Sequence, residues 1–174
     1  HLIGLIKPDE GTVEIDGRDI TKLPEKELLK VRRHIGYLFQ DGALYDFMTV
    51  FENVAFPLRE HTRAKPREIK ANVLELLKTV GLEGAEGKFP SQLSGGMRKR
   101  AALARSVILD SRVLFCDEPT SGLDPIKSRS ISDLIKGIGR QLKCTTVVTS
   151  HDIQNSFRIA DLLILIREGR IVAE

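Results

Sequence analysis

Two short segments of the chain carry the residue types that nucleotide chemistry requires. In the first, Leu93-Ser94-Gly95-Gly96-Met97, a serine and two glycines stand where a helix is predicted to begin. A helix N-terminus offers unpaired backbone N–H groups and a dipole that favours an anion, so this segment can bind a phosphate. In the second, an apolar strand over residues 113–116 ends in two adjacent carboxylates, Asp117 and Glu118. Because carboxylates can hold a metal ion and activate a water, the two segments together indicate nucleotide hydrolysis.

The two carboxylates can take separate roles, because successive side chains of a strand point in opposite directions. We expect Asp117 to face a hydrated Mg²⁺ and Glu118 to face the attacking water. A strand that simply ends in a solvated acidic turn explains the same two residues. For Ser94, Gly95 and Gly96 the corresponding alternative is an ordinary helix cap followed by flexible glycines.

Two further polar residues, Gln40 and His151, each follow a predicted buried strand. Ligands of parallel sheets sit beyond the carboxyl ends of the strands, so these side chains are expected to converge there with Asp117 and Glu118. Gln40 can contact a water and a metal-bound oxygen at once, which suits a sensor of the γ-phosphate. His151 can reach a phosphate oxygen. Taken alone, each is equally a surface glutamine or a structural histidine.

Two polar segments beside these motifs have ordinary interpretations. Ser121-Gly122-Leu123-Asp124 precedes Pro125, and an Asp followed by Pro is a common signal for the start of a helix. Arg98-Lys99-Arg100 lies in the Ala-rich helix that Ser94 opens. Because cationic side chains are normally kept in water, we interpret this run as a solvated helix face.

The composition is that of a globular protein able to fold without cross-links. The chain has 174 residues, of which 41% are hydrophobic and 29% charged. A chain of this length buries about 70% of its unfolded surface, so folding needs neither disulfides nor a metal. Cys116 and Cys144 lie in apolar segments and are expected to be reduced thiols of a cytosolic protein. The net charge of +3 gives no argument for nucleic acid, and no apolar run is long enough to cross a bilayer.

The hydrophobic patterning predicts strands that alternate with helices, interrupted by a mostly helical stretch over residues 41–92. Continuous apolar strands flanked by helices predict a largely parallel sheet covered on both faces, which is the α/β class. The predicted strands are residues 12–15, 18–20, 35–39, 113–116, 145–149, 162–166 and 170–173. The predicted helices are residues 24–33, 50–55, 66–80, 95–108, 125–142 and 152–160, and residues 1–6 are predicted to be the end of another helix.

The order of the motifs along the chain resembles that of the nucleotide-binding subunit of ATP-binding-cassette (ABC) transporters. The resemblance covers essentially the whole chain, and Met97 stands where that family usually has Gln. In chain order the matches are Gln40 to the Q-loop, Ser94, Gly95, Gly96 and Met97 to the signature, Asp117 to the end of the Walker B strand, Glu118 to the catalytic glutamate, Ser121, Gly122, Leu123 and Asp124 to the D-loop, and His151 to the switch histidine.

The resemblance implies a P-loop NTPase (RecA-like) core with a parallel sheet and an inserted α-helical subdomain. Residues 1–40 would form the first part of the ATPase core, residues 41–107 the helical subdomain with the signature, and residues 108–174 the second part of the core. The sequence contains no Gly-x-x-x-x-Gly-Lys-Ser/Thr loop, known as Walker A. Residues 2–11 resemble the helix just after that loop. We therefore expect the Walker A loop to lie in a missing N-terminal part, and residues 1–174 to be inactive alone.

The resemblance also implies the reaction and the partners. ATP and Mg²⁺ would be bound by two copies of the subunit, each ATP lying between the Walker side of one copy and Ser94-Gly95-Gly96 of the other. Asp117 and Gln40 would hold Mg²⁺, Glu118 would polarise the water, and His151 would bond the γ-phosphate. An integral membrane permease would hold the pair as peripheral proteins at the cytoplasmic face of the inner (cell) membrane, with no nucleic acid among the partners.

A narrower resemblance concerns what is transported. Residues 39–44, 51–62 and 94–100 look like the ATPases of lipid-asymmetry (MCE-associated) phospholipid transporters, which implies an MCE-type lipid-binding protein as a further partner. Two alternatives stay open. One is a soluble ABC ATPase of DNA repair or chromosome maintenance, which the short segment between Gln40 and Ser94 disfavours. The other is a non-hydrolysing regulatory subunit, which the presence of Glu118 and His151 disfavours.

Overall fold

A three-stranded parallel sheet lies at the centre of the computed structural model, which describes residues 1–174. The strands are β1 (Glu14–Ile15), β2 (Arg18–Asp19), β3 (Ile35–Leu38), β4 (Val113–Asp117), β5 (Thr145–Thr149), β6 (Leu165–Arg167) and β7 (Arg170–Ala173). The helices are α1 (Glu25–Arg32), α2 (Val50–His61), α3 (Pro66–Thr79), α4 (Gly95–Val107), α5 (Pro125–Leu142) and α6 (Ile153–Ile159), with a 3₁₀ turn at Pro90–Gln92. The α/β class predicted from the sequence is confirmed.

The order of the central sheet is β3-β4-β5, and all of its pairs are parallel. Leu38 at the end of β3 lies opposite Cys116, and Asp117 at the end of β4 lies opposite Thr149 at the end of β5. The three carboxyl ends therefore stand at one edge. The polar residues that follow the strands are brought to that edge by the register alone.

Helix α4 links the mostly helical residues 41–92 to the parallel sheet within one hydrophobic core. A single cluster of 22 buried side chains includes residues from β3, β4 and all of the helices α2 to α5. Ala101, Ala102 and Ala104 of α4 are fully or almost fully buried, and their small side chains let neighbouring elements approach closely. On the β3 side a Cβ atom added to Gly36 would lie only 2.5 Å from the Ser106 carbonyl oxygen. Helix α4 is thus packed directly on the sheet.

The helix predicted at residues 1–6 is wrong, because these residues form turns and bends. Gly4 has φ +69°, a left-handed conformation that interrupts a helix. So short a segment also cannot offset the cost of nucleating a helix by itself. The segment is instead held by Arg32, which donates to the carbonyl oxygens of Ile3 and Gly4 at 3.0 and 2.9 Å.

Fewer strands join the parallel sheet than the sequence predicts. The strand predicted at residues 162–166 is present only as β6, and it pairs antiparallel with β7 in a separate hairpin whose residues are all exposed. Glu168 and Gly169 both have positive φ, which forms a tight local turn and brings the two strands together. The sheet is also uncovered on one side at β5, where alternate residues are exposed. The predicted hairpin at Asp16-Gly17 is confirmed, with φ positive at both residues.

Helix α2 is longer than predicted. It begins at a capping box in which Thr49 accepts from the Glu52 backbone N–H and Glu52 accepts from that of Thr49. It then continues through Pro57 to His61, because Val54 and Leu58 are buried in the core and their packing outweighs the cost of an internal proline. None of the helices combines the length with the hydropathy that crossing a membrane requires.

Candidate active site

The turn that follows β4 sets the two carboxylates apart. Glu118 has φ +43°, a strained conformation for a residue with a side chain, and such strain is typical of functional sites. Its backbone N–H is held by Thr149, with the carbonyl oxygen at 3.2 Å and Oγ1 at 3.1 Å. The Thr149 hydroxyl in turn donates to Oδ1 of Asp117 at 2.6 Å. Residue 149 of β5 therefore fixes both the direction of Asp117 and the turn at Glu118.

Glu118 and His151 form the closest pair of predicted site residues. Nδ1 of His151 lies 2.9 Å from Oε2 of Glu118, which is shielded from solvent and has no other donor within reach. The hydrogen-bonding contact and the charge of Glu118 raise the pKa of His151 above its ordinary value. The carboxylate is mostly covered while the imidazole is 80% exposed, so the pair presents its histidine to the solvent. A largely buried carboxylate oxygen with free acceptor capacity is suited to bind a water.

Gln40 reaches the loop of residues 121–124 and not the carboxylates. Its Nε2 donates to Oγ of Ser121 at 3.3 Å, although 81 positions separate the two residues in sequence. Asp124 serves as the cap of α5, accepting from the Lys127 backbone N–H at 3.0 Å and pairing with its ammonium at 2.7 Å. The Q-loop and D-loop matches thus contact each other at the sheet edge.

The segment Ser94–Met97 opens α4 as predicted. Ser94 is the N-cap and accepts from the Met97 backbone N–H at 3.3 Å. Leu123 and Lys127 lie beside the two glycines, since added Cβ atoms on Gly95 and Gly96 would come within 3.5 and 3.7 Å of them. The Met97 side chain packs partly into the core. No hydrogen bond joins this segment to Glu118 or His151, so the N-terminal end of α4 and the Glu118–His151 pair are separate features.

The basic run of α4 is only in part the solvated face that the sequence predicts, since Arg98 is exposed and Arg100 half-buried. Lys99 is 7% exposed, and its ammonium donates to the Gln40 carbonyl oxygen. Burial lowers the pKa of Lys99, and the charges of Asp41 and Glu118 partly oppose that shift. The flanking arginines bond the Leu93 and Val80 carbonyl oxygens. The prediction is wrong for Lys99, because the loop after β3 folds over this residue and covers it.

Arg105 and Asn53 also hold the loop after β3, and neither lies in a recognisable sequence motif. Arg105 of α4 donates to the carbonyl oxygens of Gly42 and Ala43 at 3.0 and 2.7 Å. Asn53 of α2 is fully buried and bonds the far end of the loop, with its Oδ1 accepting from the Tyr45 N–H at 2.8 Å. For Asn53 the one sequence signal was an asparagine on an otherwise apolar helix face. Buried amide groups are almost always hydrogen-bonded, so such a residue indicates a structural contact.

The donor set at the sheet edge fits Mg²⁺ bound together with a nucleotide. No group of three or more His, Cys, Asp or Glu side chains is placed to hold a metal ion. Mg²⁺ does not require such a cage, because it keeps several waters and is commonly bound through one or two carboxylates and the substrate phosphates. Asp117 supplies one carboxylate, of which Oδ1 is oriented by Thr149. At the neighbouring strand end the amide nitrogen of Gln40 is bonded to Ser121, so its carbonyl oxygen would be the metal ligand.

Comparison with known proteins agrees with the geometry. A family model described as ABC transporter matches residues 1–121. The chain is 48% identical over 160 residues to a probable ribonucleotide transport ATP-binding protein of Mycobacterium leprae (strain TN), covering 92% of this chain and 46% of that protein. It is 44% identical over 171 residues to the intermembrane phospholipid transport system ATP-binding protein MlaF of Haemophilus influenzae, covering 98% of this chain and 65% of that protein. The chain therefore spans about half to two thirds of the length of these relatives.

A solved structure of a nucleotide-bound cassette is also similar over nearly the whole of this chain. It is the dimeric post-hydrolysis state of the ATP-binding cassette MJ0796, which is bound to ADP and phosphate. The similarity has a TM-score of 0.86 with 35% sequence identity, covering 97% of this chain and 74% of that one. The fold is therefore that of an ABC ATPase cassette. Since the family model matches more than half of the sequence, the chain belongs to the ABC transporter family.

Proposed function

We propose that the protein is the ATP-hydrolysing subunit of an ABC transporter, with Glu118 as the general base. The observation that carries this proposal is the environment of Glu118, whose Oε2 is buried, lacks any donor besides His151 and sits at a strained turn. A carboxylate with an unused acceptor can take the proton of an attacking water as the water approaches a phosphate. His151, exposed beside it, is placed to bond a phosphate oxygen.

The other groups of this edge would bind and orient the nucleotide. Asp117 and Gln40 would hold Mg²⁺, which when bound neutralises charge on the transferring phosphoryl group. Ser94, Gly95 and Gly96 would offer their N–H groups to the ATP of a second copy, as the resemblance to ABC cassettes implies. The dimeric cassette that this chain resembles was solved with ADP and phosphate, which supports a paired arrangement. The organisation that follows is a core of residues 1–40 and 108–174 with a helical subdomain at 41–107.

Glu118→Gln in the complete protein tests the catalytic assignment. The amide keeps the size of the side chain but cannot accept a proton, so hydrolysis should fall by roughly 10²- to 10⁴-fold while ATP binding persists. Glu75→Gln, at an exposed position of α3, is the matched control and should leave turnover unchanged. Turnover near that of the unaltered protein in Glu118→Gln would exclude Glu118 as the base. Binding of ATP without hydrolysis in the unaltered protein would favour the regulatory alternative.

We further propose that the membrane partner is a permease and that the cargo is a phospholipid or another lipid. The name of the MlaF relative refers to phospholipid transport, which supports a lipid cargo. The name of the mycobacterial relative refers to ribonucleotides, so the two relatives indicate different cargoes. The assay is ATP-dependent transfer of fluorescent phospholipid between vesicles by the reconstituted transporter, with and without an MCE-type protein. Stimulation of ATP hydrolysis by ribonucleotides other than ATP and ADP, and not by phospholipid, would overturn the lipid assignment.

A groove beside Gln40 supports contact with such a permease at the cytoplasmic membrane face. It has a volume of about 530 Å³ and is lined by the rings of Tyr37, Phe39, Tyr45 and Phe56. Arg32, Arg33, His61 and Arg105 also line it, which favours an amphipathic helix with acidic residues as the occupant. Arg33→Glu should reduce co-purification of the permease and leave the hydrolysis rate of the free subunit unchanged. Undiminished co-purification would argue against docking in this groove.

A further inference from the structure

We propose that Lys99 and Arg105 are positioning residues that fasten the Gln40 loop, residues 40–45, to helix α4. In this arrangement Gln40 and the Ser94 end of α4 move as one unit. The inference rests on the proposed function, in which Gln40 serves the nucleotide of its own chain and Ser94 serves that of a second copy. It adds a physical connection between the two sites that passes through a single helix.

The first attachment is a buried cation. Lysine is almost never buried without a partner, yet Lys99 is 7% exposed and no carboxylate lies within ion-pair distance of its ammonium. Its partner is the backbone carbonyl oxygen of Gln40, to which it donates a hydrogen bond. The cost of burying this charge is therefore tied to one main-chain position. A small movement of Gln40 that does not admit water to Lys99 leaves the buried ammonium without a partner, and such a loss is energetically costly.

The second attachment lies two residues further along the loop. The planar guanidinium of Arg105 binds the carbonyl oxygens of Gly42 and Ala43 together, at 3.0 and 2.7 Å, and lies 5.6 Å from the centre of the Tyr45 ring. Gly42 and Ala43 have φ of +81° and +48°. Glycine adopts such a φ freely, but for Ala43 the conformation is strained, and it persists only where the surroundings hold it. Arg105 supplies that restraint.

The spacing of the attachments explains why one helix can hold the whole loop. Lys99, Ala102 and Arg105 are three positions apart and share a face of α4. Ala102 between the two cations is small enough for the loop to touch the helix, since a Cβ on Gly42 would lie 3.2 Å from the Ala102 Cβ. The chain is thus bound at three carbonyl oxygens along a rigid helix of 13 residues whose first turn presents Ser94.

Hydrogen exchange of the full-length protein without nucleotide tests the attachment independently of catalysis. Lys99→Met keeps the length and apolar stem of the side chain but removes the donor. It should speed exchange of the two hydrogen-bonded loop amides, those of Gly42 and Tyr45, by about tenfold or more, and exchange in α3 should not change. Lys99→Arg, which can still donate, should restore slow exchange. Lys70→Met, at an exposed position of α3, is the matched control. Unchanged loop exchange in Lys99→Met would overturn the proposal.

Arg105→Lys provides a second variant should Lys99→Met fold poorly. It retains the charge but cannot bond two carbonyl oxygens in one plane. Exchange at the Gly42 amide, which donates to the Phe39 carbonyl oxygen, should therefore rise while exchange in α3 stays slow. Exchange at Gly42 as slow as in the unaltered protein would contradict the role assigned to Arg105.

A double-mutant cycle with Gln40→Ala tests whether Lys99 acts on turnover through Gln40. Lys99→Met alone should lower kcat about tenfold with less than a threefold change in the KM for ATP. In the Gln40→Ala background the same change should cost less than about twofold. An equal loss in both backgrounds would show that Lys99 acts elsewhere and would refute the proposal. An unaltered protein that fails to hydrolyse ATP would instead refute the proposed function, and the exchange experiment would still decide the attachment.

Discussion

Replacing Asn53 should destabilise the fold far more than the loss of one polar side chain from a helix surface. Asn53 is fully buried in α2, and its amide group makes four hydrogen bonds to the backbone of residues 45–49. In Asn53→Ala two of the four partners keep another bond. The Tyr45 carbonyl oxygen still accepts from Met48, and the Thr49 carbonyl oxygen still accepts from the backbone N–H of residue 53. The Tyr45 N–H and the Met48 carbonyl oxygen lose their only intramolecular partner.

The magnitude follows from those two groups. A buried polar group left unpaired costs about 1 to 3 kcal/mol, so two would cost about 2 to 6 kcal/mol. Tyr45 is exposed and Met48 half-buried, which lets water reach the freed groups in part. We therefore expect Asn53→Ala to lower the free energy of unfolding by about 2 to 4 kcal/mol, the lower half of that range.

The assay is urea unfolding of the full-length protein followed by circular dichroism. Asn72→Ala, at an exposed position of α3, is the matched control and should change the free energy of unfolding by about 0.5 kcal/mol or less. Asn53→Asp separates hydrogen bonding from volume. It keeps the acceptor for Tyr45 but turns a carboxylate toward three carbonyl oxygens, and it should be at least as destabilising. A difference below about 1 kcal/mol between Asn53→Ala and Asn72→Ala would refute this account.

Three further predictions concern packing and titration. Gly36→Ala should lower the free energy of unfolding in urea by about 1 to 3 kcal/mol, because the new Cβ would lie 2.5 Å from a carbonyl oxygen of α4. Gly137→Ala, in open space on α5, is the control and should raise the free energy of unfolding slightly. In an NMR titration His151 should keep its proton to a pH above its ordinary pKa, and Glu118→Gln should remove the upward shift. The sign of this pKa shift means that the pair contributes to stability below the ordinary pKa of histidine, and that the contribution is lost as the pH rises through the folded-state pKa. Burial raises the pKa of the Cys116 thiol to about 12. A thiol reagent at pH 8 should therefore label Cys116 in urea and not in the native protein. Equal labelling rates in urea and in the native protein would contradict the burial of this residue.

Sequence alone predicted best the elements that have strong local signals. The bounds of α5 were predicted to the residue, because Pro125 stands at its first turn and an apolar face runs along it to Leu142. Strand β5 was likewise predicted as Thr145–Thr149. The placement of Gln40, Asp117 and His151 at one edge also follows from sequence order, since parallel strands end on the same side of a sheet.

The features that sequence could not predict depend on contacts between distant segments. Lys99 is buried because a loop 59 positions earlier folds over it, and nothing in the basic run itself indicates that. The contact between Gln40 and Ser121 depends on two loops that approach each other in space. Helix α2 continues through Pro57 because the packing of its apolar face outweighs the cost of a proline inside a helix. The general rule that proline ends or kinks a helix therefore does not predict its length. The sequence-based error at β6 came from assigning an apolar run to the main sheet when a local turn paired it elsewhere.

The β6–β7 hairpin has a consequence for the colloidal behaviour of the protein. Leu165, Ile166, Ile171 and Val172 are each more than half exposed, and two short strands leave free edges on which another chain can pair. Segments of this kind template intermolecular sheets and then precipitate. Arg167, Glu168 and Arg170 sit among these apolar residues and act as gatekeepers, because stacking copies of the hairpin would bring like charges together. Solubility at high concentration should therefore depend on these three charged side chains.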